Sequence, residues 1–347
     1  MSTVSLTLAD RALAVSANTG ATVLEAALAA GLPFPHSCQA GNCGTCKCEL
    51  LAGEVLELPY SEFALSAAER ERGLILACRT QLWGDAAVRG LTEEDLVQHP
   101  SRDLRCRVST LSRLTHDIVQ VRLAVEAGGP FFFSAGQYAR LEFANGVARD
   151  YSMANPAPMN PAAGEALEFH IRQTPGGQAS NYVADKLHVG AVVRVTGPFG
   201  SAYLREAHRG PIVALAGGSG MAPVRCILTR ALALDPARPI RLYFGVRDER
   251  DIYLESELQA LALQHRNFHY DIVLSEPASP TARRRGFLHQ ALAADAPALD
   301  GAKVYLAGPP LMVEAATVQL RARGVAERDL HADAFYTEAE RVARAAA

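Results

Sequence analysis

Four unevenly spaced cysteines constrain this chain more than any other sequence feature. Cys38, Cys43 and Cys46 follow one another in the spacing C-x4-C-x2-C, and Cys78 lies in a separate segment. A loop with three thiolates can wrap a small group of metal ions, and a thiolate from elsewhere can close the site. The glycines at 41 and 44 stand where such a tight loop needs residues that accept a positive φ.

This spacing is typical of plant-type [2Fe–2S] sites. Disulfides are disfavoured because seven cysteines is an odd number and nothing in the sequence resembles a secretory signal. Zinc is disfavoured because its sites usually use paired C-x2-C units. We therefore predict that Cys38, Cys43, Cys46 and Cys78 bind a [2Fe–2S] cluster. The remaining cysteines, which we expect to be buried without a chemical role, are Cys48, Cys106 and Cys226.

The composition excludes several classes of protein. A chain of 347 residues has room for two or three domains, and 49% hydrophobic with 20% charged residues is ordinary for a globular protein. No uncharged apolar run reaches 18 residues, so we expect no membrane span. A net charge of −3 gives no indication of nucleic-acid binding. Thiolate ligands without a secretory signal favour a cytoplasmic location.

Hydrophobic periodicity predicts a first domain over residues 1–97, followed by a Pro-containing linker at 99–103. A capping box formed by Thr22 and Glu25 marks the start of a helix before the cysteine loop. The pattern indicates a small α+β cluster domain. Its predicted segments are a hairpin over 4–8 and 11–15, a helix over 23–30, a strand over 47–51, a helix over 65–72 and a strand that carries Cys78.

Two further domains follow from a change in pattern. Residues 102–206 alternate with period two in several short segments, which predicts an antiparallel β-barrel. Residues 209–347 alternate apolar strands with helices, which predicts a doubly wound parallel α/β sheet. The barrel strands are expected over 105–111, 117–125, 137–143, 167–172 and 192–196. The parallel strands are expected over 211–216, 240–246, 269–275 and 303–307, with helices up to 234 and over 254–264, 288–294 and 311–323.

Two glycine-containing loops point to a nucleotide site. The sequence 217–220, Gly-Gly-Ser-Gly, lies between a buried strand and a helix, where backbone N–H groups can face a pyrophosphate. Pro223 stands where the full G-x-G-x-x-G motif has its third glycine. Gly308 and Pro309 repeat the arrangement at a later strand end. Two such loops at the carboxyl ends of parallel strands form the crevice in which open α/β sheets bind ligands.

In chain order, four motifs resemble those of the ferredoxin–NADP reductase superfamily. They are Arg149-x-Tyr151-Ser152, Gly177-x-x-Ser180, residues 217–220, and Gly308-Pro309 with Met312. Together with the cysteine domain, residues 3–340 resemble the reductase components of bacterial aromatic-ring-hydroxylating dioxygenases of the naphthalene-dioxygenase type. The stretches 57–61, 149–155 and 331–338 are also similar to that family.

The resemblance implies roles for individual residues. On the flavin side it implies Arg149 at the FAD pyrophosphate, Tyr151 against the isoalloxazine, Ser152 near flavin N5, His170, Ile171 and Arg172 along the ribityl and phosphate region, and Gly177, Gln178, Ala179 and Ser180 at the pyrophosphate. On the nicotinamide side it implies Gly217, Gly218, Ser219, Gly220, Gly308 and Pro309 at the dinucleotide, Phe335 as a cover of the flavin, and Glu338 near the flavin edge. Ser152, Phe335 and Glu338 are thus the candidate catalytic residues.

Two departures from the superfamily pattern matter. Ala307 stands where the superfamily often has a cysteine before the Gly-Pro, so no catalytic thiol is expected there. The chain also continues to residue 347, whereas the superfamily aromatic is often terminal. The choice between NADH and NADPH stays open on the residues, because Arg247, Arg250 and the run 283–285 could neutralise a 2′-phosphate while Asp248 could accept from a 2′-hydroxyl. We expect NADH, with NADPH tolerated.

The predicted function is that of an NAD(P)H-dependent ferredoxin reductase, a monomer with FAD and a [2Fe–2S] cluster. A hydride carries two electrons and the cluster accepts one, so a flavin is needed between them. The resemblance implies a separate ferredoxin as acceptor, which feeds a terminal oxygenase. Three alternatives remain: the reductase of a diiron monooxygenase or two-component oxygenase, an iron–sulfur carrier or sensor without flavin, and a zinc-stabilised binding module.

Overall fold

The computed structural model describes residues 2–32, 34–36, 39, 41, 44, 46–61, 64–90, 97, 99–155, 166–337 and 340. The chain divides into two compact units. One comprises Met1–Gln98 with Tyr336–Ala347, and the other comprises His99–Phe335. No helix among the described residues is long and apolar enough to cross a membrane.

The first unit is built on a five-stranded sheet in the order β2-β1-β5-β3-β4. The capping box at Thr22 and Glu25 is present in full and begins helix α1, which confirms the predicted start. Its apolar core is separate from that of the second unit. The elements are β1 (Thr3–Leu8), β2 (Leu13–Asn18), α1 (Val23–Ala29), β3 (Lys47–Glu57), α2 (Ala67–Glu71), β4 (Leu74–Leu76) and β5 (Thr80–Gly90).

The second unit begins with a six-stranded antiparallel sheet in the order β10-β7-β6-β11-β8-β9. A bridge between Met153 and Phe169, with the bond from Ala154 N to Glu168 O at 2.8 Å, draws its two end strands together into a near-barrel. The predicted antiparallel barrel is therefore confirmed. Its elements are β6 (Arg102–Arg113), β7 (Ile118–Ala127), β8 (Tyr138–Glu142), β9 (Ala148–Ser152), β10 (Leu167–Arg172), α3 (Gln178–Asp185) and β11 (Val192–Phe199).

A six-stranded parallel sheet in the order β15-β14-β13-β12-β16-β17 completes the second unit. The chain moves outward from β12 through β13 to β14 and then returns to the other side of β12 as β16. The switch point of the doubly wound sheet thus lies between β12 and β16. The elements are β12 (Ile212–Gly217), α4 (Met221–Leu234), β13 (Ile240–Val246), α5 (Glu255–Gln264), β14 (Phe268–Leu274), β15 (Arg284–Arg285), α6 (Leu288–Asp295), β16 (Lys303–Gly308), α7 (Pro310–Ala322) and β17 (Leu330–Ala334).

The structure differs from the sequence expectations at a few elements. Cys78 lies in a 3-10 turn, Ala77–Arg79, and not in a strand, because β4 ends at Leu76. The first hairpin turns through another 3-10 segment, Ala9–Arg11, so its second strand begins two residues later than predicted. Strands β5, β9, β15 and β17 were not predicted. The domain boundaries at 97, 102, 206 and 209 stay predictions.

Candidate cofactor and nucleotide sites

Two of the four predicted metal ligands lie together in the first unit. The Sγ atoms of Cys46 and Cys78 are 3.2 Å apart, and both side chains are buried. This separation exceeds the ~2.05 Å of a disulfide bond. The two thiols are near enough to each other to serve one metal site. Ala77 N donates to Cys46 O at 3.0 Å and ties the two ligand segments together. Cys38 and Cys43 lie outside the described residues.

The loop glycines have the backbone geometry that the sequence predicts. Gly41 and Gly44 both have φ of 74°. A Cβ on Gly44 would lie 2.8 Å from the carbonyl oxygen of Ala64, and one on Gly41 would lie 2.8 Å from the Tyr60 Cβ. The loop therefore packs against its surroundings in a way that only glycine permits at these two positions. Converging thiols and a tight loop fit a [2Fe–2S] cluster.

The two glycine loops of the second unit interlock at the switch point of the parallel sheet. A Cβ on Gly220 would lie 2.1 Å from Ala307 O, and one on Gly308 would lie 2.8 Å from Gly217 O. The first loop passes through a short 3-10 turn, Gly218–Gly220, into helix α4. The two loops predicted to hold a dinucleotide are thus neighbours, joined by the β12–β16 ladder.

A cavity of about 440 Å³ opens beside these loops, at the carboxyl ends of the parallel strands. Gly217, Gly218 and Pro309 line it, and so do Phe287 and Met312. The volume is in the range of small-molecule and cofactor pockets. Its position is the one that the doubly wound fold reserves for ligands.

Two arginines reach the same carboxylate at the wall of this cavity. Asp117 Oδ2 accepts from Arg172 Nε at 2.9 Å and from Arg247 Nη2 at 2.8 Å, and Arg247 also binds Asp251 at 3.0 Å. Burial would raise the pKa of Asp117, but the charge of Arg172 and a hydrogen bond from Thr115 lower it overall. Arg172, which was predicted for FAD, therefore lines the cavity beside the two glycine loops.

The acid predicted to bind the ribose, Asp248, does not lie at the cavity wall. Its Oδ1 accepts from Ala278 N at 3.1 Å. Glu276, at the end of β14, lines the cavity instead. The cofactor role of Asp248 stays a prediction. No sequence signal singled out Glu276 or Asp117, since each follows or precedes a strand like any loop acid.

The predicted flavin residues Arg149, Tyr151 and Ser152 lie on the barrel strand β9. Tyr151 is half-buried and packs edge-on against Phe143, with ring centroids 6.4 Å apart. The Ser152 hydroxyl, which is buried, donates to Asp333 Oδ2 on β17 at 3.3 Å. Two residues on, Phe335 N donates to Gly308 O at 2.9 Å. Strand β17 and the residue that follows it therefore link β9 to the loop at Gly308, and they place Phe335 beside that loop.

The segment 177–180 forms the start of helix α3. A Cβ on Gly177 would lie 2.4 Å from Thr174 Oγ1 and 2.5 Å from Ser180 Oγ, so a side chain there would displace these two hydroxyl groups. Gln178 is exposed and Ala179 is buried. The open backbone and the polar turn are compatible with a pyrophosphate.

The outcome at β10 is mixed. The Ile171 side chain lies in the apolar core and is therefore not available to a ligand. His170 is buried and its Nε2 lies 3.0 Å from Glu168 Oε1. Tyr253, which the sequence did not single out, packs edge-on against His170 at 5.5 Å. Glu338 lies outside the described residues.

Three family models cover most of the chain. They are a 2Fe-2S iron-sulfur cluster binding domain over residues 6–82, an oxidoreductase FAD-binding domain over 105–203 and an oxidoreductase NAD-binding domain over 214–317. The chain is 39% identical to the reductase component of the naphthalene 1,2-dioxygenase/salicylate 5-hydroxylase systems of a Ralstonia species. That alignment covers 93% of this chain and 96% of the relative. The chain belongs to this family of reductase components.

Two other comparisons agree with this assignment. A naphthalene 1,2-dioxygenase system ferredoxin–NAD(P)(+) reductase component of Pseudomonas putida is 36% identical, with 91% of this chain and 94% of the relative covered. The crystal structure of an Amycolatopsis cytochrome P450 reductase has a TM-score of 0.77 at 37% identity and covers 96% of this chain and 98% of that one. The three predicted cofactors, the fold and the enzyme class are thereby confirmed.

Proposed function

We propose that this reductase component passes electrons from NADH, through FAD and its [2Fe–2S] cluster, to a separate ferredoxin that feeds an aromatic-ring dioxygenase. The observation that carries the proposal is the link made by β17. Asp333 binds Ser152 of the flavin strand, and Phe335 binds Gly308 of the dinucleotide loop. A donor in the cavity and a flavin on β9 would therefore be neighbours.

The residues have separate tasks in this proposal. When bound, FAD supplies the conversion of a two-electron donor into single-electron steps that a [2Fe–2S] cluster can accept. Arg149 compensates pyrophosphate charge, Tyr151 supports the flat ring, and the Ser152 hydroxyl is held at a fixed place by Asp333. Phe335 covers the flavin. Glu338 completes the candidate set, and Cys38, Cys43, Cys46 and Cys78 hold the cluster.

The charges at the cavity support NADH over NADPH. Arg247 is already paired with Asp117 and Asp251, so its charge is compensated. Glu276, which follows β14, also lines the cavity, and its carboxylate would repel a 2′-phosphate and accept from a 2′-hydroxyl. We expect Glu276→Gln to reduce the preference for NADH over NADPH, measured as the ratio of kcat/KM for the two coenzymes. A wild-type preference for NADPH would contradict the assignment.

A second candidate is direct delivery of electrons to an oxygenase without an intermediate ferredoxin. It is favoured by the similarity to the solved cytochrome P450 reductase of Amycolatopsis, at a TM-score of 0.77. Both candidates use the same sites in this chain. They differ only in the protein that takes electrons from the cluster.

The test uses purified protein with measured FAD, iron and sulfide. NADH-driven reduction of a candidate ferredoxin is compared with reduction of a dye that accepts from flavin. Cys78→Ser should abolish ferredoxin reduction and leave dye reduction within about twofold. Cys106→Ala, a buried cysteine of the barrel, is the matched control and should change neither activity. Loss of both activities in a folded Cys78→Ser protein would overturn the relay order.

The remaining parts of the proposal concern the surroundings of the protein. Its partners are the acceptor ferredoxin and, through it, the terminal oxygenase, with no role for nucleic acid. We propose a monomer in the cytoplasm. Sedimentation at micromolar concentration tests the monomer, and a concentration-dependent dimer would contradict it.

A further inference from the structure

A buried carboxylate on the outer face of the barrel gathers hydrogen bonds from two domains. Glu168, on β10, is 3% exposed. Its Oε1 accepts from Gln120 Nε2 at 2.9 Å, from Arg225 Nη1 at 3.0 Å, and from His170 Nε2 at 3.0 Å. Its Oε2 accepts from Arg122 Nε at 3.0 Å. Gln120, Arg122 and His170 belong to the barrel, whereas Arg225 belongs to the dinucleotide-binding part.

Arg225 carries this connection into the helix that follows the glycine loop. It lies in the first turns of α4, which begins directly after Gly220. It also donates to Ala154 O at 2.9 Å, next to the flavin strand, and to Glu257 Oε1 at 2.7 Å on α5. One guanidinium therefore fixes α4 against both β10 and the segment that continues from β9.

A second connection runs through His170 to the other end of the same loop. Tyr253 packs edge-on against His170 with ring centroids 5.5 Å apart. Its hydroxyl donates to Gly218 O at 3.3 Å. The glycine loop is thus held at Gly218 by Tyr253 and at its helical end by Arg225, and both contacts lead back to Glu168.

The energetics favour a positioning role over a contribution to stability. Burying charged groups costs free energy that their mutual attraction only partly offsets, so such a network adds less stability than its number of hydrogen bonds suggests. What a buried, directional network can do is specify one arrangement of the parts that it joins. Transfer between two stacked rings depends steeply on that arrangement, since a misplacement of about 1 Å can cost about 100-fold in rate.

We propose that Glu168, acting through Arg225 and through His170 with Tyr253, positions the glycine loop 217–220 relative to β9, the strand of the predicted flavin residues. These are positioning residues for electron transfer from the coenzyme, and the inference rests on the proposed function. Disturbing the network changes the geometry of the reactive complex more than the affinity for NADH.

The experiment is anaerobic stopped-flow reduction of the FAD-loaded protein by NADH, over a range of NADH concentrations. Arg225→Met should lower the limiting reduction rate by about 10- to 100-fold, change the apparent Kd by less than about threefold, and weaken the long-wavelength absorbance of stacked nicotinamide and flavin. Arg225→Lys, which keeps the charge, should recover part of the rate. Tyr253→Phe should lower the rate with the protein still folded.

Arg230→Met is the matched control, because Arg230 lies on the same helix α4 but pairs with Glu206 and not with Glu168. It should leave the limiting rate within about twofold. An unchanged rate in Arg225→Met and Tyr253→Phe, or an equal loss in Arg230→Met, would overturn the positioning role. Failure of the wild-type protein to bind FAD or to be reduced by NADH would instead overturn the proposed function.

Discussion

At the scale of single residues, glycine 220 makes the sharpest demand on side-chain size. Its backbone is helical, with φ of −60°, so a substitution meets no torsional strain there. The obstacle is the Ala307 carbonyl oxygen, 2.1 Å from the place of a Cβ. We expect Gly220→Ala to lower the free energy of unfolding by about 1–3 kcal/mol and to weaken NADH binding, because β12 and β16 must separate.

Urea unfolding and NADH titration would measure this effect. Gly84→Ala is the control, since a Cβ there meets its nearest atom at 3.7 Å in ordinary contact. Equal, small effects of both substitutions would show that the two glycine loops are not held together as the structure describes.

A second prediction at this scale concerns pH. Burial would raise the pKa of Glu168, but hydrogen bonds from His170 and Gln120 and the charge of Arg225 outweigh it and lower the pKa to about 2, from an ordinary 4.5. A lowered carboxyl pKa adds stability that is present above pH 4.5 and is lost as the pH falls toward 2.

The difference in melting temperature between the wild type and Glu168→Gln should therefore be constant above about pH 5 and should shrink toward pH 3. Thermal unfolding followed by circular dichroism at several pH values measures it. A difference that keeps its full size at pH 3 would mean that the Glu168 carboxylate is not stabilised in the folded state.

At the scale of elements, a buried ion pair fixes the strand that follows the cysteine loop. Lys47, at the start of β3, binds Glu69 of α2 at 2.7 Å, and the two side chains are 5% and 12% exposed. Lys47→Met removes one partner and leaves a nearly buried carboxylate. We expect a loss of about 3 kcal/mol in the stability of the first unit and faster loss of iron.

Chemical unfolding with iron release as a second signal would test this. Arg70→Met provides the comparison, because Arg70 pairs with Glu57 while remaining 61% exposed, and it should change little. If Arg70→Met proved as harmful as Lys47→Met, burial would not be the reason for the effect.

Two of the strands that the sequence missed, β9 and β17, share a physical cause. Strand β17 buries His331, stacked on Tyr305 at 5.0 Å, and Asp333, which accepts from Ser152. In β9, Arg149 and Tyr151 are half-buried, and the sequence of the strand does not alternate between apolar and polar residues. Periodicity detects apolar faces, so strands with polar contacts at a site give no such signal. The apolar strands β12, β13 and β16 were placed within a residue or so for the same reason.

The sites divide in a similar way. The glycine loops and the cysteine spacing could be read from the sequence, because steric and ligand requirements restrict the residue types at fixed positions. The contacts of Asp117, Tyr253 and Glu276 could not, because they depend on which loops the fold brings together. For example, Asp117, Arg172 and Arg247 lie in three different segments of the chain, and both arginines donate to Asp117.

At the scale of the whole molecule, the two units have separate sheets and separate apolar cores. The core of His99–Phe335 is continuous from the barrel into the parallel sheet, with members such as Phe169 and Leu242. The core around Leu24 and Leu82 belongs to the first unit. A chain that begins at His99 should therefore fold, bind FAD and reduce a dye with NADH at a rate within about threefold of the full chain, but should not reduce a ferredoxin.

The last prediction concerns the boundary between the two units near the end of the chain, which lies between Phe335 and Tyr336. Tyr336 groups with the first unit, although the predicted third domain runs to residue 347. If that grouping reflects the folding units, a chain of residues 99–335 should match one of residues 99–347 in melting temperature, since Phe335 already makes its bond to Gly308. If removing residues 336–347 caused a large loss of stability or of bound flavin, those residues would belong with the second unit. If both chains aggregated, the second unit would need the first in order to fold.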